Sequence, residues 1–224
     1  MSDALTYRGK SREGKNLFEP KQRLMPPLPP FLREQLPTIE PSVIGRGNYF
    51  PCSVTLKDGT THDCVYVVSQ ATYIRDWGFY PEGDRNISIS DVTSLRESPF
   101  RLPAAFANRL YSAGESCMGG VIFTVVFSDG SKQAYVTGNA VDFISFPEGK
   151  RPADVVDVLP HVGRDANPQG RELPSAACLY CDDETARLLP TGLLEPVVIR
   201  RRRLGQRLAA YIRRVTSRPP RLDT

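Results

Sequence analysis

Val54-Thr-Leu-Lys-Asp58-Gly59, followed by Cys64-Val65-Tyr66-Val67, returns as Val125-Val-Phe-Ser-Asp129-Gly130, followed by Ala134-Tyr135-Val136. Each copy is an alternating apolar run, an Asp-Gly pair and a second alternating run. Asp-Gly tolerates the positive φ that a tight hairpin demands, so each copy predicts an antiparallel β-hairpin. Treated as two-residue turns, the pairs put Val54 and Leu56 on one face with Val65 and Val67. The second copy puts Phe123, Val125 and Phe127 on one face with Ala134 and Val136. One apolar and one wetter face is the pattern of a half-buried antiparallel sheet.

A third apolar segment follows each hairpin, Ile87–Leu95 in the first copy and Ala140–Phe146 in the second, and each runs on to a proline, Pro99 or Pro147. The expected fold is therefore mostly β (α+β): two three-stranded units, 48–99 and 117–149, forming a small barrel or sandwich within a core spanning 48–149. Residues 103–113 read as a short linking helix with Pro103 in its first turn and Phe106 and Leu110 facing the sheet. An Asp-Gly hairpin followed by a strand and a tight turn resembles small SH3-like or Sm-like barrels over about 90 residues. That resemblance implies a fold and no function.

Outside the core the chain changes character. Residues 1–47 hold eight Lys/Arg and five Asp/Glu around Pro26-Pro27-Leu28-Pro29-Pro30, which predicts an extended basic arm. Its apolar anchors, Phe31 among them, suit a partner's groove. Residues 70–86 form an aromatic insert, Tyr73-Ile-Arg-Asp-Trp77-Gly-Phe79-Tyr80, without a counterpart in the second copy. Trp77 and Tyr80 could stack on a partner or plug the open end of the core. Residues 150–198 read as an irregular segment.

That segment contains Cys178-Leu-Tyr-Cys181, whose spacing lets two thiolates share a zinc. His62 and Cys64, alternate residues on one predicted strand, could complete a four-ligand set for a structural zinc. No other cofactor is implied. Five cysteines without an export signal favour reduced thiols and a cytoplasmic location. No window approaches the ~18 uninterrupted apolar residues of a transmembrane helix. With two histidines and no phosphate-binding Gly-rich loop, the expectation is a non-enzymatic protein. A zinc-stabilised or thiol-dependent enzyme, for instance pairing Cys64 with His161, is the weaker alternative.

The C-terminus carries the strongest functional signal. Residues 199–224 hold nine Arg and one Asp, net +8, which leaves −4 on residues 1–198 of a chain with net charge +4. Helical spacing predicts an amphipathic helix, with Leu204, Leu208, Tyr211, Ile212 and Val215 on one face. Arg200, Arg203, Arg207, Arg214 and Arg218 form a stripe beside that face. Such a helix suits nucleic-acid phosphates, a protein surface or, less well, an anionic membrane surface. The leading expectation is an accessory factor that contacts nucleic acid through this stripe. The alternative is an adaptor or inhibitor that wraps a protein partner with arm and helix.

Overall fold

The computed structural model describes residues 24–182 apart from 79, 82, 118 and 162–167. The chain is mostly β, arranged in two mixed sheets. Its elements are α1 (Pro30–Gln35), β1 (Ser42–Ile44), β2 (Gly47–Leu56), β3 (Thr61–Ser69), α2 (Gln70–Trp77), β4 (Asn86–Ser88) and β5 (Val92–Glu97). They continue with α3 (Ala104–Ala113), β6 (Val121–Phe127), β7 (Lys132–Thr137), β8 (Val155–Pro160), β9 (Gly170–Arg171) and β10 (Ala176–Tyr180). The first sheet runs β1-β2-β3-β10-β4, with β5 also on β2; the second runs β8-β6-β7-β9. Neither sheet closes on itself, so the expected barrel does not form.

The two sheets follow one plan. In each, the central hairpin closes on a three-residue loop. The Leu56 and Thr60 backbones pair (2.8 Å) and Gly59 N–H donates to the Leu56 carbonyl (2.9 Å). Phe127 with Ser131 (2.9 Å) and Gly130 with Phe127 (2.9 Å) repeat this. Gly59 and Gly130 both sit at φ +82°, the left-handed conformation that such a loop requires of its last residue. The third strand is antiparallel to the first in both sheets, with Val54 opposite Leu95 and Val125 opposite Val158. The same irregularity recurs, leaving Thr93 and Val156 as extra residues. A short 3₁₀ turn precedes each third strand, and its last carbonyl, Asp91 or Asp154, accepts from Lys57 or Ser128 in the loop, at 2.8 Å in both cases.

Three sequence expectations change here. The third strand of the second copy is β8, not 140–146. Residues 141–144 are instead a buried connector, bridged to Arg101 and Glu172. The three-residue loop shifts pairing by one residue relative to a two-residue turn, and such a slip exchanges the faces. In the second hairpin Phe123 therefore opposes Tyr135, which is fully buried, while Val136 is 38 % exposed. In the first hairpin a bulge between Cys52 and Val54 cancels the slip, and Val65 and Val67 stay in the core with Val54.

The arm is the third change. Residues from Leu28 onward belong to the first unit. Pro30 lies in the first turn of α1, where a missing N–H costs nothing, so the proline run starts a helix. Leu28, Leu32, Leu36 and Ile39 are buried against Cys52, Val54, Val65, Val67 and Leu95. The second core repeats this: α3 starts after Pro103, and Leu102 just ahead of it, with Ala107 and Leu110 on it, is buried against Phe123, Val125, Phe127 and Val158. Each unit thus has its own core under its own helix, rather than sharing a sandwich.

The insert after β3 is helical because Ser69 caps it, accepting from Thr72 N–H at 3.2 Å, and Gly78 ends it. On the reverse face of the first sheet, Tyr66, Val68, Ala177 and Leu179 pack with Phe143 of the connector. The segment 170–180 serves both sheets, as β9 parallel to β7 and then β10 parallel to β3 and β4.

Candidate functional site

The four residues of the zinc expectation are dispersed by strand geometry. His62 opposes Val54 and so lies on the α1 side of the first sheet, whereas Cys64 packs with the cluster on the reverse face. The bulge between them breaks the simple alternation that would have aligned the two. Cys178 and Cys181 lie on extended chain, where a spacing of three puts side chains on opposite faces. Cys178 is fully buried in the first core with Cys52. Cys181 N–H donates to the Pro26 carbonyl (2.9 Å), continuing β10 beside Pro27. Among the described residues no group of three or more His, Cys, Asp or Glu side chains is placed to hold a metal ion.

Burial raises the pKa values of three thiols, Cys52, Cys64 and Cys178. It pushes Cys52 up to about 12, and, with Asp63 adding to it, Cys64 up to about 11. Cys178 is also raised, by burial and then by Cys52. All three are held as neutral thiols at physiological pH, the opposite of an activated nucleophile. His161 shares a 2.7 Å hydrogen bond with Thr124 of β6, in the second sheet, whereas Cys64 belongs to the first.

Of the proposed partner-binding aromatics, Phe31 stands 48 % exposed on α1. Trp77 and Tyr80 pack against the reverse face of the first sheet, Trp77 beside Tyr73 with ring centroids 6.2 Å apart. Gln70 Nε2 donates to the Tyr80 hydroxyl at 2.8 Å. These two cover a core, as a plug does. Arg200, Arg203, Arg207, Arg214 and Arg218 lie outside the described residues, with the rest of the predicted C-terminal helix.

Two features had no signal in the sequence pattern. One is a buried polar network where the units meet. Arg101 is 1 % exposed; its guanidinium donates to the Glu40 carbonyl (2.5 Å), Ser42 Oγ (3.4 Å) and the Glu97 carboxylate (3.4 Å). Asp142 is fully buried and accepts from the hydroxyls of Ser42, Tyr66 (2.9 Å) and Tyr111 (2.5 Å). Burial raises the Asp142 carboxyl; Ser42, Tyr111, Arg101 and Tyr66 oppose that shift. Burial, reinforced by Asp142, pushes both tyrosines far above their ordinary range, so they remain donors. The network draws on β1, β3, α3, the connector 141–144 and the segment between β5 and α3 that carries Arg101, and so holds the units in register. Single charged residues on connectors carry no periodicity, which is why sequence reading passes over them.

The other is a polar cleft of about 740 Å³ in the first unit, lined by Thr61, His62, Asp63, Cys64, Asp84, Arg85 and the segment 172–176. Its size is that of a ligand-binding cavity. Asp63 accepts from Ser53 (2.6 Å) and pairs with Arg96 (3.7 Å), and Glu172 accepts from Gly138 N–H (2.7 Å).

No family model matches the chain, and no curated protein or solved structure matches it. Among the described residues no helix is long and apolar enough to cross a membrane.

Proposed function

We propose that this is a non-enzymatic interaction protein, an accessory factor whose two-unit β body carries an Arg-rich segment that contacts nucleic acid. The observation that carries this reading is the charge segregation: net +8 on residues 199–224 against −4 on the rest of the chain. Arginines at such density displace condensed counterions from a phosphate backbone, giving sequence-independent, salt-dependent affinity. The net negative charge of residues 48–198 disfavours phosphate binding through that part of the chain and favours the Arg-rich segment as the contact.

Burial holds Cys52, Cys64 and Cys178 protonated, which supports a structural rather than nucleophilic role for these three thiols. The adaptor reading keeps less of its arm, because residues 28–39 are built into the first core. Replacing Arg200, Arg203, Arg207, Arg214 and Arg218 together by Gln tests the proposal by titration against random duplex at several salt concentrations. Without these five guanidinium charges on the phosphates, the log–log salt slope should shrink by about 4.5. An unchanged slope would assign the nucleic-acid contact elsewhere, or to none.

A further inference from the structure

The polar cleft is an open strand position. In the first sheet β10 lies between β3 and β4, with Ala176 opposite Val65 and Ala177 opposite Asn86. Ahead of Ala176 the chain leaves that line toward the connector: Leu173 N–H donates to the Phe143 carbonyl (2.9 Å) and Glu172 bridges to Ile144. Thr61–Cys64 of β3 therefore run on without a neighbour on the β10 side among the described residues. Across the gap stand Asp84 and Arg85, just ahead of β4.

The gap is the one that β10 fills further along, so its width is that of one strand inserted between two, about 9–10 Å from β3 to β4. Its length along Thr61–Cys64 is about 13 Å at the rise of an extended chain. His62 and Cys64, from opposite faces of the sheet, both line it, as expected of a slot that opens on a strand edge. Its lining carries three carboxylates, Asp63, Asp84 and Glu172, and one guanidinium, Arg85; Asp63 also pairs with Arg96 and Glu172 also accepts from Gly138 N–H.

We propose that this slot binds an extended segment of a partner protein, added as a strand beside Thr61–Cys64 and carrying Lys or Arg at alternate positions. Backbone hydrogen bonds to the open edge supply affinity, and the carboxylates select basic side chains. The slot is built from body residues alone.

The test uses the full chain and a blocked hexapeptide of alternating valine and lysine. Amide hydrogen exchange at residues 61–64 is read with this peptide, with its glutamate counterpart, and with a lysine peptide N-methylated at alternate amides. The lysine peptide should slow exchange at 61–64, and the N-methylated form, equal in charge, should not. Asp84→Lys, an exposed turn substitution, should weaken binding about tenfold or more at unchanged melting temperature. Equal binding of the glutamate or N-methylated peptide, or no protection of 61–64 at millimolar lysine peptide, would overturn the assignment.

Discussion

Gly170 has no room for a side chain: a Cβ there would lie 2.3 Å from two carbons of the Tyr135 ring. Tyr135 is fully buried, stacked on Phe123 with centroids 5.5 Å apart, and its hydroxyl donates to the Ser145 carbonyl (3.0 Å). It cannot yield without opening the second core. Gly170→Ala should therefore cost about 1–3 kcal/mol in chemical denaturation. Asp142 tests a different kind of residue. Asp142→Asn keeps an acceptor for Tyr66 and Tyr111, whereas Asp142→Leu leaves the hydroxyls of Ser42, Tyr66 and Tyr111 without this buried acceptor, so the Leu variant should lose at least about 2 kcal/mol more. The pH dependence has a definite sign. The folded Asp142 carboxyl lies above its unfolded value because of burial. Its contribution is present in full below the unfolded pKa and is lost as pH rises through the folded one. Wild type should thus gain stability relative to Asp142→Asn as pH falls from 7 toward 4. A gain in the opposite direction would mean that Asp142 is stabilised as an anion by Arg101 more than it is penalised by burial.

At the scale of elements, the hairpins were legible because Asp-Gly is a local signal that tertiary context seldom overrides. Their register was not, because a two-residue and a three-residue loop both end in glycine and differ only in the pairing that follows. One bulge, at Ser53 opposite Asp63 and Cys64, then decided whether the slip reached the core. Gly59→Val and Gly130→Val should each destabilise by about 1 kcal/mol or more, since both residues hold φ +82°. Unchanged melting of both variants would mean that the loops adopt another geometry. The helices repeat a pattern that the proline run obscured: Leu28-Pro29 with Leu32 and Leu36, and Leu102-Pro103 with Phe106 and Leu110. Leu32 and Leu110 are each fully buried under these helices. Truncation of either to Ala should cost about 2–5 kcal/mol, measured by urea unfolding.

Over the whole molecule, two copies of one helix–hairpin–strand plan are joined by a buried Arg101–Asp142 network and by the shared segment 170–180. The apolar pattern revealed the repeat; it could not reveal which distant segment supplies each third or fourth strand, because β8, β9 and β10 are short and pair far along the chain. The Cys178–Cys181 spacing likewise suggested a ligand pair, whereas extended backbone puts the two side chains on opposite faces. The charge segregation was legible throughout, since it depends on composition and not on pairing. It also carries the central claim, and one comparison tests that claim most directly: full-length protein and a truncation ending at Val198, titrated with random duplex and single-stranded nucleic acid across salt. The account predicts binding by the full chain that weakens steeply with salt and disappears on truncation. Equal binding by both forms at low salt, or none by either, would contradict it.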